Sequence, residues 1–196
     1  MAGIDYDDET ALVVVDVQND FADPTGSLYV EGGDDIIGLV NEEVAAVRAA
    51  GGRVVYTQDW HPPETPHFDT SGGIWPVHCV RDTWGARLHP ALDVSGTVVR
   101  KGTGGEDGYS GFTMRDPVTG DEVATELHSL LQDHGIEQVV VVGLALDVCV
   151  LATALDAIRL GYGLTVMADA TRPVDLQPGD GERALVELEK AGAAIV

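Results

Sequence analysis

Short apolar runs alternate along this chain with longer segments in which apolar residues recur every three or four positions. The runs are typical of buried parallel strands, and the spaced segments are typical of the helices that cover them. We predict strands at residues 12–16, 53–57, 97–100, 138–142, 164–168 and 193–196. We predict helices at residues 34–50, 122–134, 147–160 and 181–191.

This alternation predicts an α/β fold with three layers, α/β/α, around a central, mostly parallel sheet of about six strands. No internal repeat or linker interrupts the pattern, so we expect one domain over residues 1–196. No apolar run reaches the ~20 residues that a membrane span needs. The first residues also lack the basic and apolar regions of a signal peptide. We therefore expect a cytoplasmic protein.

Charge narrows the range of partners. Acidic residues outnumber basic ones by 33 to 11, which gives a formal net charge of −22. Such a surface repels nucleic acid and anionic membranes, so we exclude both as partners. We interpret the acidic excess, in a chain with Lys101 and Lys190 as its lysines, as adaptation to high salt, which screens self-repulsion. The alternative is a merely acidic cytosolic protein. The same surface favours a salt-dependent homo-oligomer.

Reactive side chains follow the predicted strands. Asp16 ends the first strand, Asp59 and His61 follow the second, Lys101 follows the third, and Cys149 lies in the turn after the fourth. In a parallel sheet the working residues collect at the carboxyl ends of the strands. We therefore expect these side chains to face one crevice.

Asp16, Lys101 and Cys149 have simple interpretations when each is taken separately. Asp16 could fix a loop, Lys101 could lie on the surface, and Cys149 could be a buried core residue. Their convergence at neighbouring strand ends favours chemistry instead. A place in the first turn of a helix and a neighbouring lysine would both favour the thiolate of Cys149.

The roles of the three residues follow from their chemistry. A cysteine thiolate attacks a carbonyl carbon, and Asp16 can accept the thiol proton and then donate it to the leaving nitrogen. The ammonium of Lys101 stabilises both anions, and backbone N–H groups in the turn before Cys149 can hold the oxyanion. We predict hydrolysis of an amide through a thioester.

A second cluster suits a metal ion. Its candidate ligands all lie between residues 59 and 78, and they are Asp59, His61, His67 and His78. One carboxylate and three imidazoles suit Zn, Fe or Mn. The alternative is a proline-rich loop with exposed histidines. Two cysteines are too few for a disulfide scaffold, and we interpret Cys79 as a packing residue because neighbours such as His78 and Cys79 rarely point at one ion.

Five motifs carry a resemblance to a known family. They are VDVQNDF (15–21), TQDWHP (57–62), WPVHC (75–79), KGTGGEDGYSGF (101–112) and GLALDVCV (143–150). In these motifs and their order, over nearly the whole chain, the sequence resembles the nicotinamidases of the isochorismatase-like cysteine hydrolases. The resemblance implies that fold and the hydrolysis of nicotinamide, or of an analogue such as pyrazinamide, in NAD salvage.

The resemblance also assigns residues. It implies a catalytic triad at Asp16, Lys101 and Cys149, and one divalent metal ion bound by Asp59, His61, His67 and His78. It implies that the pyridine ring lies between Phe21 and Trp75, with Tyr109 nearby, and that its nitrogen approaches the metal. It further implies a cis peptide bond between Leu144 and Ala145, with an oxyanion hole formed by the backbone N–H groups of Ala145 and Cys149.

One position departs from the family pattern. Leu146 stands where relatives usually carry threonine, so a hydroxyl is lost beside the nucleophile turn. We expect an active enzyme whose rate or substrate preference can differ. The alternatives are a family member that acts on isochorismate, an N-carbamoyl compound or another small amide, and an inactive metal- or ligand-binding module. The candidate metal ligands disfavour the first, and the intact triad disfavours the second.

Overall fold

The computed structural model describes residues 4–196, and its centre is a parallel sheet. The strands are β1 (Thr10–Val15), β2 (Arg53–Asp59), β3 (Thr97–Lys101), β4 (Thr113–Arg115), β5 (Glu122–Ala124), β6 (Gln138–Leu144), β7 (Gly163–Arg172) and β8 (Ala194–Ile195). Six of them form the central sheet in the order β3-β2-β1-β6-β7-β8, and every neighbouring pair is parallel. The predicted fold class is confirmed.

Helices cover both faces of this sheet. They are α1 (Asn19–Ala22), α2 (Ile37–Ala49), α3 (Leu127–Asp133), α4 (Leu151–Arg159) and α5 (Asp180–Ala191). Val40, Val44 and Val47 of α2 belong to the core cluster on one face. Leu131 of α3 and Leu188 of α5 belong to the cluster on the other face. These clusters define the α/β/α layers, with the sheet between them.

Strand β1 shows how the hydrophobic pattern positions the site. Its residues are all buried, and they alternate between the two core clusters, with Leu12 and Val14 on one face and Val13 and Val15 on the other. The chain runs outward from β1 to one sheet edge, returns to β6 beside β1, and then runs outward to the other edge. Such a switch point opens a crevice at the carboxyl ends of the two central strands.

The predicted helix at residues 122–134 is partly wrong. Glu122–Ala124 is strand β5, which pairs with β4 in an antiparallel ribbon. Val123 is 53% exposed and therefore does not extend the apolar face of the helix. The helix follows Thr125, whose hydroxyl accepts a hydrogen bond from the Leu127 N–H at 3.1 Å. The strand pairing and this hydroxyl cap explain the later start.

The bounds of several other strands and helices also differ from the prediction. Strands β2, β6 and β7 extend beyond the predicted runs because their neighbours continue the pairing. The predicted helix at 147–160 begins with a π-helical turn, Leu146–Val150, before α4. Within residues 4–196, none of the helices combines the length and apolar character that crossing a bilayer requires.

Candidate active site and metal centre

Asp16, Lys101 and Cys149 meet at the carboxyl edge of the central sheet. Lys101 Nζ lies 2.7 Å from Asp16 Oδ2 and 3.7 Å from Cys149 Sγ. All three residues are buried. Asp16 directly follows β1 in a left-handed conformation with φ 48°, which turns the chain sharply away from the strand. The crevice predicted from the strand ends therefore exists, with these three side chains in contact range.

Burial sets the protonation of the two acidic groups. It raises the pKa of Asp16, Lys101 offsets part of that effect, and Asp59 adds to it, so that the value is about 6. Burial also raises the pKa of the Cys149 thiol well above its ordinary value, although Lys101 opposes this effect. The expected stabilisation of a thiolate by a helix terminus is therefore not dominant, and Cys149 is protonated until a base removes its proton.

Lys101 remains charged in this interior. Burial acts to lower the pKa of Lys101, but the carboxylates of Asp16 and Asp59 raise it well above its ordinary value. Lys101 Nζ lies 2.5 Å from Asp59 Oδ1 and also donates to the carbonyl of Gly108. Burial likewise acts to raise the pKa of Asp59, but Lys101, His61 and His78 together outweigh it and the pKa falls below its usual range.

Asp59 connects the triad to the histidines. Its Oδ2 lies 3.7 Å from His61 Nε2 and 3.9 Å from His78 Nε2. His61, His67 and His78 are buried, and each offers a ring nitrogen within 4.8 Å of the other two. The three histidines of the proline-rich segment therefore lie together in the interior and are not exposed on a loop.

The residues of this cluster fit a divalent metal ion. Among the described residues, both ring nitrogens of His61 are buried without a hydrogen-bond partner. Burial lowers the pKa of His67, and it lowers that of His78 to about 4, so both imidazoles are neutral at pH 7 and can donate lone pairs. Imidazole nitrogens beside an ionised carboxylate are the donor set that Zn, Fe and Mn accept.

The nucleophile and the metal cluster open into one cleft. Phe21, Trp75 and Tyr109 line it, as the resemblance implies, and Trp75 Nε1 donates to the Tyr109 hydroxyl at 3.0 Å. The aliphatic side chains in its wall are those of Leu28, Val30, Val148 and Val174. The wall is therefore mainly apolar and aromatic, as a small flat ring requires.

The turn before Cys149 reaches the cleft through two of its residues. Ala145 and Cys149 both line it, and the Leu144–Ala145 peptide bond is cis, as expected. Gly143 has φ 108°, and a Cβ there would lie 2.1 Å from the Val15 carbonyl oxygen, so glycine is required where β6 passes β1. Leu146 packs into the core and does not line the cleft, so the departure from threonine changes the core side of the turn.

Several supporting residues were not predicted. Gln18 accepts from the Asp59 N–H and donates to the Asp59 carbonyl, both at 2.8 Å, which ties the ends of β1 and β2 together. Thr57 donates to Asp16 Oδ1 at 2.6 Å, and Asp107 lies 2.6 Å from His67 Nδ1. Gln18 lies inside the VDVQNDF motif, and that motif was the sequence signal that could have identified it.

Cys79 is fully buried in the core and free, as predicted.

The comparisons with known proteins agree with this geometry. The family described as Isochorismatase domain matches residues 10–196. The nicotinamidase of Escherichia coli (strain K12) is 36% identical over 203 residues, which cover 94% of this chain and 93% of that protein.

Two solved structures have the same fold. A pyrazinamidase of Pyrococcus horikoshii in complex with zinc has a TM-score of 0.85 and 39% identity, over 96% of this chain and 98% of that one. PnC1 from L. infantum in complex with nicotinate has a TM-score of 0.90 and 34% identity, over 98% and 95% of the two chains. From the matched family and the shared fold, we conclude that this chain belongs to the isochorismatase domain family, in the group that contains the nicotinamidases.

Proposed function

We propose that this protein is a nicotinamidase, an amidohydrolase that converts nicotinamide to nicotinate and ammonia in NAD salvage. The observation that carries the proposal is the contact of Asp16, Lys101 and Cys149 at the base of an aromatic cleft. The nicotinamidase relatives support the choice of substrate within the family.

The first half of the reaction forms a thioester. Cys149 Sγ attacks the carboxamide carbon while its proton passes to Asp16. Burial raises the pKa of the thiol, so the thiol needs a base, and Asp16, with a pKa of about 6, is ionised at pH 7 and can accept the proton. The backbone N–H groups of Ala145 and Cys149 receive the oxyanion. Asp16 then gives the proton to the leaving nitrogen, and ammonia departs from the acylated Cys149.

The second half restores the enzyme. Water attacks the thioester carbon and loses a proton to Asp16, and the tetrahedral adduct collapses to nicotinic acid and the Cys149 thiolate. The proton on Asp16 returns to that thiolate, and nicotinic acid releases its remaining proton to solvent as nicotinate. Lys101 remains charged throughout and offsets the negative charge as it moves between Asp16 and Cys149. Buried carboxylate and thiol groups can thus exchange one proton without an unpaired charge in the interior.

A divalent ion completes the substrate site. His61, His67, His78 and Asp59 would hold it, and a zinc-bound relative supports zinc among Zn, Fe and Mn. When bound, the ion supplies a Lewis acid for the pyridine nitrogen and so orients the ring. Phe21 and Trp75 bind the ring faces. The mainly apolar cleft, in a chain of net charge −22, disfavours dianionic substrates such as isochorismate.

Ammonia release tests the proposal. We expect purified protein to release ammonia from nicotinamide and pyrazinamide, and to lose that activity after a chelator and regain it with zinc, iron or manganese. Metal analysis of the same preparation identifies the ion. Turnover of an N-carbamoyl compound without turnover of nicotinamide would assign another family member. Metal content without turnover of any amide would indicate a binding module. The single domain, the cytoplasmic location, the high-salt adaptation and the homo-oligomer stay predictions.

A further inference from the structure

His67 has a carboxylate behind its ring. Its Nδ1 lies 2.6 Å from Asp107 Oδ1, and the two side chains are 4% and 18% exposed. An ionised carboxylate only accepts hydrogen bonds, so Nδ1 carries the proton in this pair. The lone pair of the neutral ring is then on Nε2, which is the nitrogen left for the cluster with His61 and His78.

His78 reaches the same tautomer with an uncharged partner. Its Nδ1 lies 2.7 Å from the Pro76 carbonyl oxygen, and its Nε2 faces Asp59 Oδ2 at 3.9 Å. A carbonyl fixes the ring without adding charge, whereas a carboxylate also makes the opposite nitrogen a better donor to a metal. Asp107 therefore has an electrostatic effect on His67 that Pro76 does not have on His78.

The backbone holds Asp107 in place. Its N–H donates to the Arg115 carbonyl at 2.7 Å, and the Arg115 N–H donates back at 3.0 Å. The next residue, Gly108, accepts a hydrogen bond from Lys101 Nζ. The same short loop therefore contacts the metal cluster through Asp107 and the catalytic lysine through Gly108. A Cβ at Gly108 would lie 3.2 Å from Asp59 Oδ1, so the loop passes close to both.

We propose that Asp107 is a positioning residue of the metal centre, which holds His67 in the tautomer that presents Nε2 to a divalent ion and strengthens that nitrogen as a ligand. The inference rests on the metal site in the proposed function. We do not count Asp107 as a ligand, because its carboxylate is engaged by His67 Nδ1 and it is not among the side chains whose ligand atoms lie within 4.8 Å of one another.

Zinc affinity of the metal-free protein is the first test. Competition with a chromogenic chelator should show Asp107→Ala binding zinc roughly 10–100-fold more weakly than the unchanged protein. Asp107→Asn should lie between the two, because its amide oxygen still accepts from Nδ1 but carries no charge. Glu106→Gln is the matched control: it removes a charge from the neighbouring loop position, whose carboxylate binds the Gly104 N–H, and should leave the affinity unchanged.

A spectroscopic test separates positioning from a loss of loop structure. Nitrogen-15 NMR of the histidine rings in the metal-free protein should show His67 protonated on Nδ1 in the unchanged protein and in Asp107→Asn, and a mixture of tautomers in Asp107→Ala. Unchanged zinc affinity and an unchanged His67 tautomer in Asp107→Ala would overturn the inference. Failure of the unchanged protein to bind zinc in the same titration would instead refute the metal site, and the inference with it.

Discussion

Two buried polar centres lie side by side at the carboxyl edge of the sheet, and they are satisfied in different ways. In the triad, Lys101 Nζ lies within 2.7 Å of carboxylate oxygens of both Asp16 and Asp59, so opposite charges are paired within the fold. In the histidine cluster, both ring nitrogens of His61 lack a hydrogen-bond partner among the described residues. The charges of the triad are paired within the folded chain, although Asp16 Oδ2 meets Lys101 as an ion pair and not as a hydrogen bond. For the cluster, we propose that the partner is a bound metal ion.

The difference predicts which property each centre controls. A buried polar group without a partner lowers the free energy of unfolding by about 1–3 kcal/mol. A cluster of this kind therefore makes the metal-free fold less stable, and binding of a ligand raises its stability. A buried ion pair instead becomes costly when one partner is removed. Changes in the triad should affect catalysis and stability, and changes in the cluster should affect mainly metal and substrate binding.

The largest expected effect is that of Cys149→Ala on turnover. Loss of the attacking sulfur should lower kcat on the order of 10⁴-fold or more, while the free energy of unfolding changes by roughly 1 kcal/mol. Steady-state ammonia release and urea unfolding measure the two quantities. Cys79→Ala, at the chain's other cysteine, should keep its activity because that thiol is a core residue. Turnover retained in Cys149→Ala would refute the thioester mechanism.

Lys101→Met should break both functions of the triad. The two carboxylates would lose their shared cation, so the free energy of unfolding should fall by about 3–5 kcal/mol at pH 7. The pKa of Asp16 should rise further, because Lys101 lowers it more than the hydrogen bond from Thr57 does, and Asp16 would then no longer be ionised for catalysis. Urea unfolding of the metal-free variant measures the loss.

The chain offers a matched control for that change. Lys190 is exposed on α5, so Lys190→Met removes the same charge without leaving buried carboxylates unpaired. Its stability should stay within about 0.5 kcal/mol of the unchanged protein. Equal stability of the two lysine variants would contradict the ion-pair description of the triad.

The contrast between the centres explains how much could be predicted from sequence. Asp16, Lys101 and Cys149 could be predicted to converge because each lies at the end of a predicted strand. Parallel pairing places the carboxyl ends of such strands at the same edge of the sheet. Protonation was not predictable in the same way: the helix-terminus argument favours a thiolate, whereas burial raises the pKa of Cys149. Burial depends on the packing of the whole molecule and leaves no local sequence signal.

Contacts between residues far apart in the sequence could not be predicted. Asp107 lies inside the KGTGGEDGYSGF motif, but it is 40 positions from His67, so the motif did not show which side chain Asp107 contacts. The β4–β5 ribbon was missed for a related reason, since Val123 has helical spacing but is exposed. Periodicity therefore identified the elements that pack on the sheet, and it failed where pairing outside the core decides the structure.

His61→Ala should have a smaller effect, confined to binding. Zinc affinity should fall at least roughly 10–100-fold, the range seen when even an outer partner of a ligand is lost, and KM for nicotinamide should rise. The metal-free variant should be nearly as stable as the unchanged protein, because the change removes unpartnered nitrogens. His134→Ala, at an exposed histidine, is the control. Normal metal content and normal KM in His61→Ala would refute the ligand assignment.

The smallest expected effect is a pH dependence that separates the two centres without a mutation. The pKa of Asp16 is raised from 3.8 to about 6, so the residue is protonated, and no longer a base, below that pH. We expect kcat/KM to fall about tenfold per pH unit below this value. The same shift means that protonation of Asp16 itself favours the folded state, so unfolding is not the cause of that fall.

Burial lowers the pKa of His78 to about 4, so bound metal should still be retained at pH 5. Metal release in parallel with the loss of activity would show that the histidine cluster, and not Asp16, sets the acid limit, because protons compete with a metal for imidazole nitrogens.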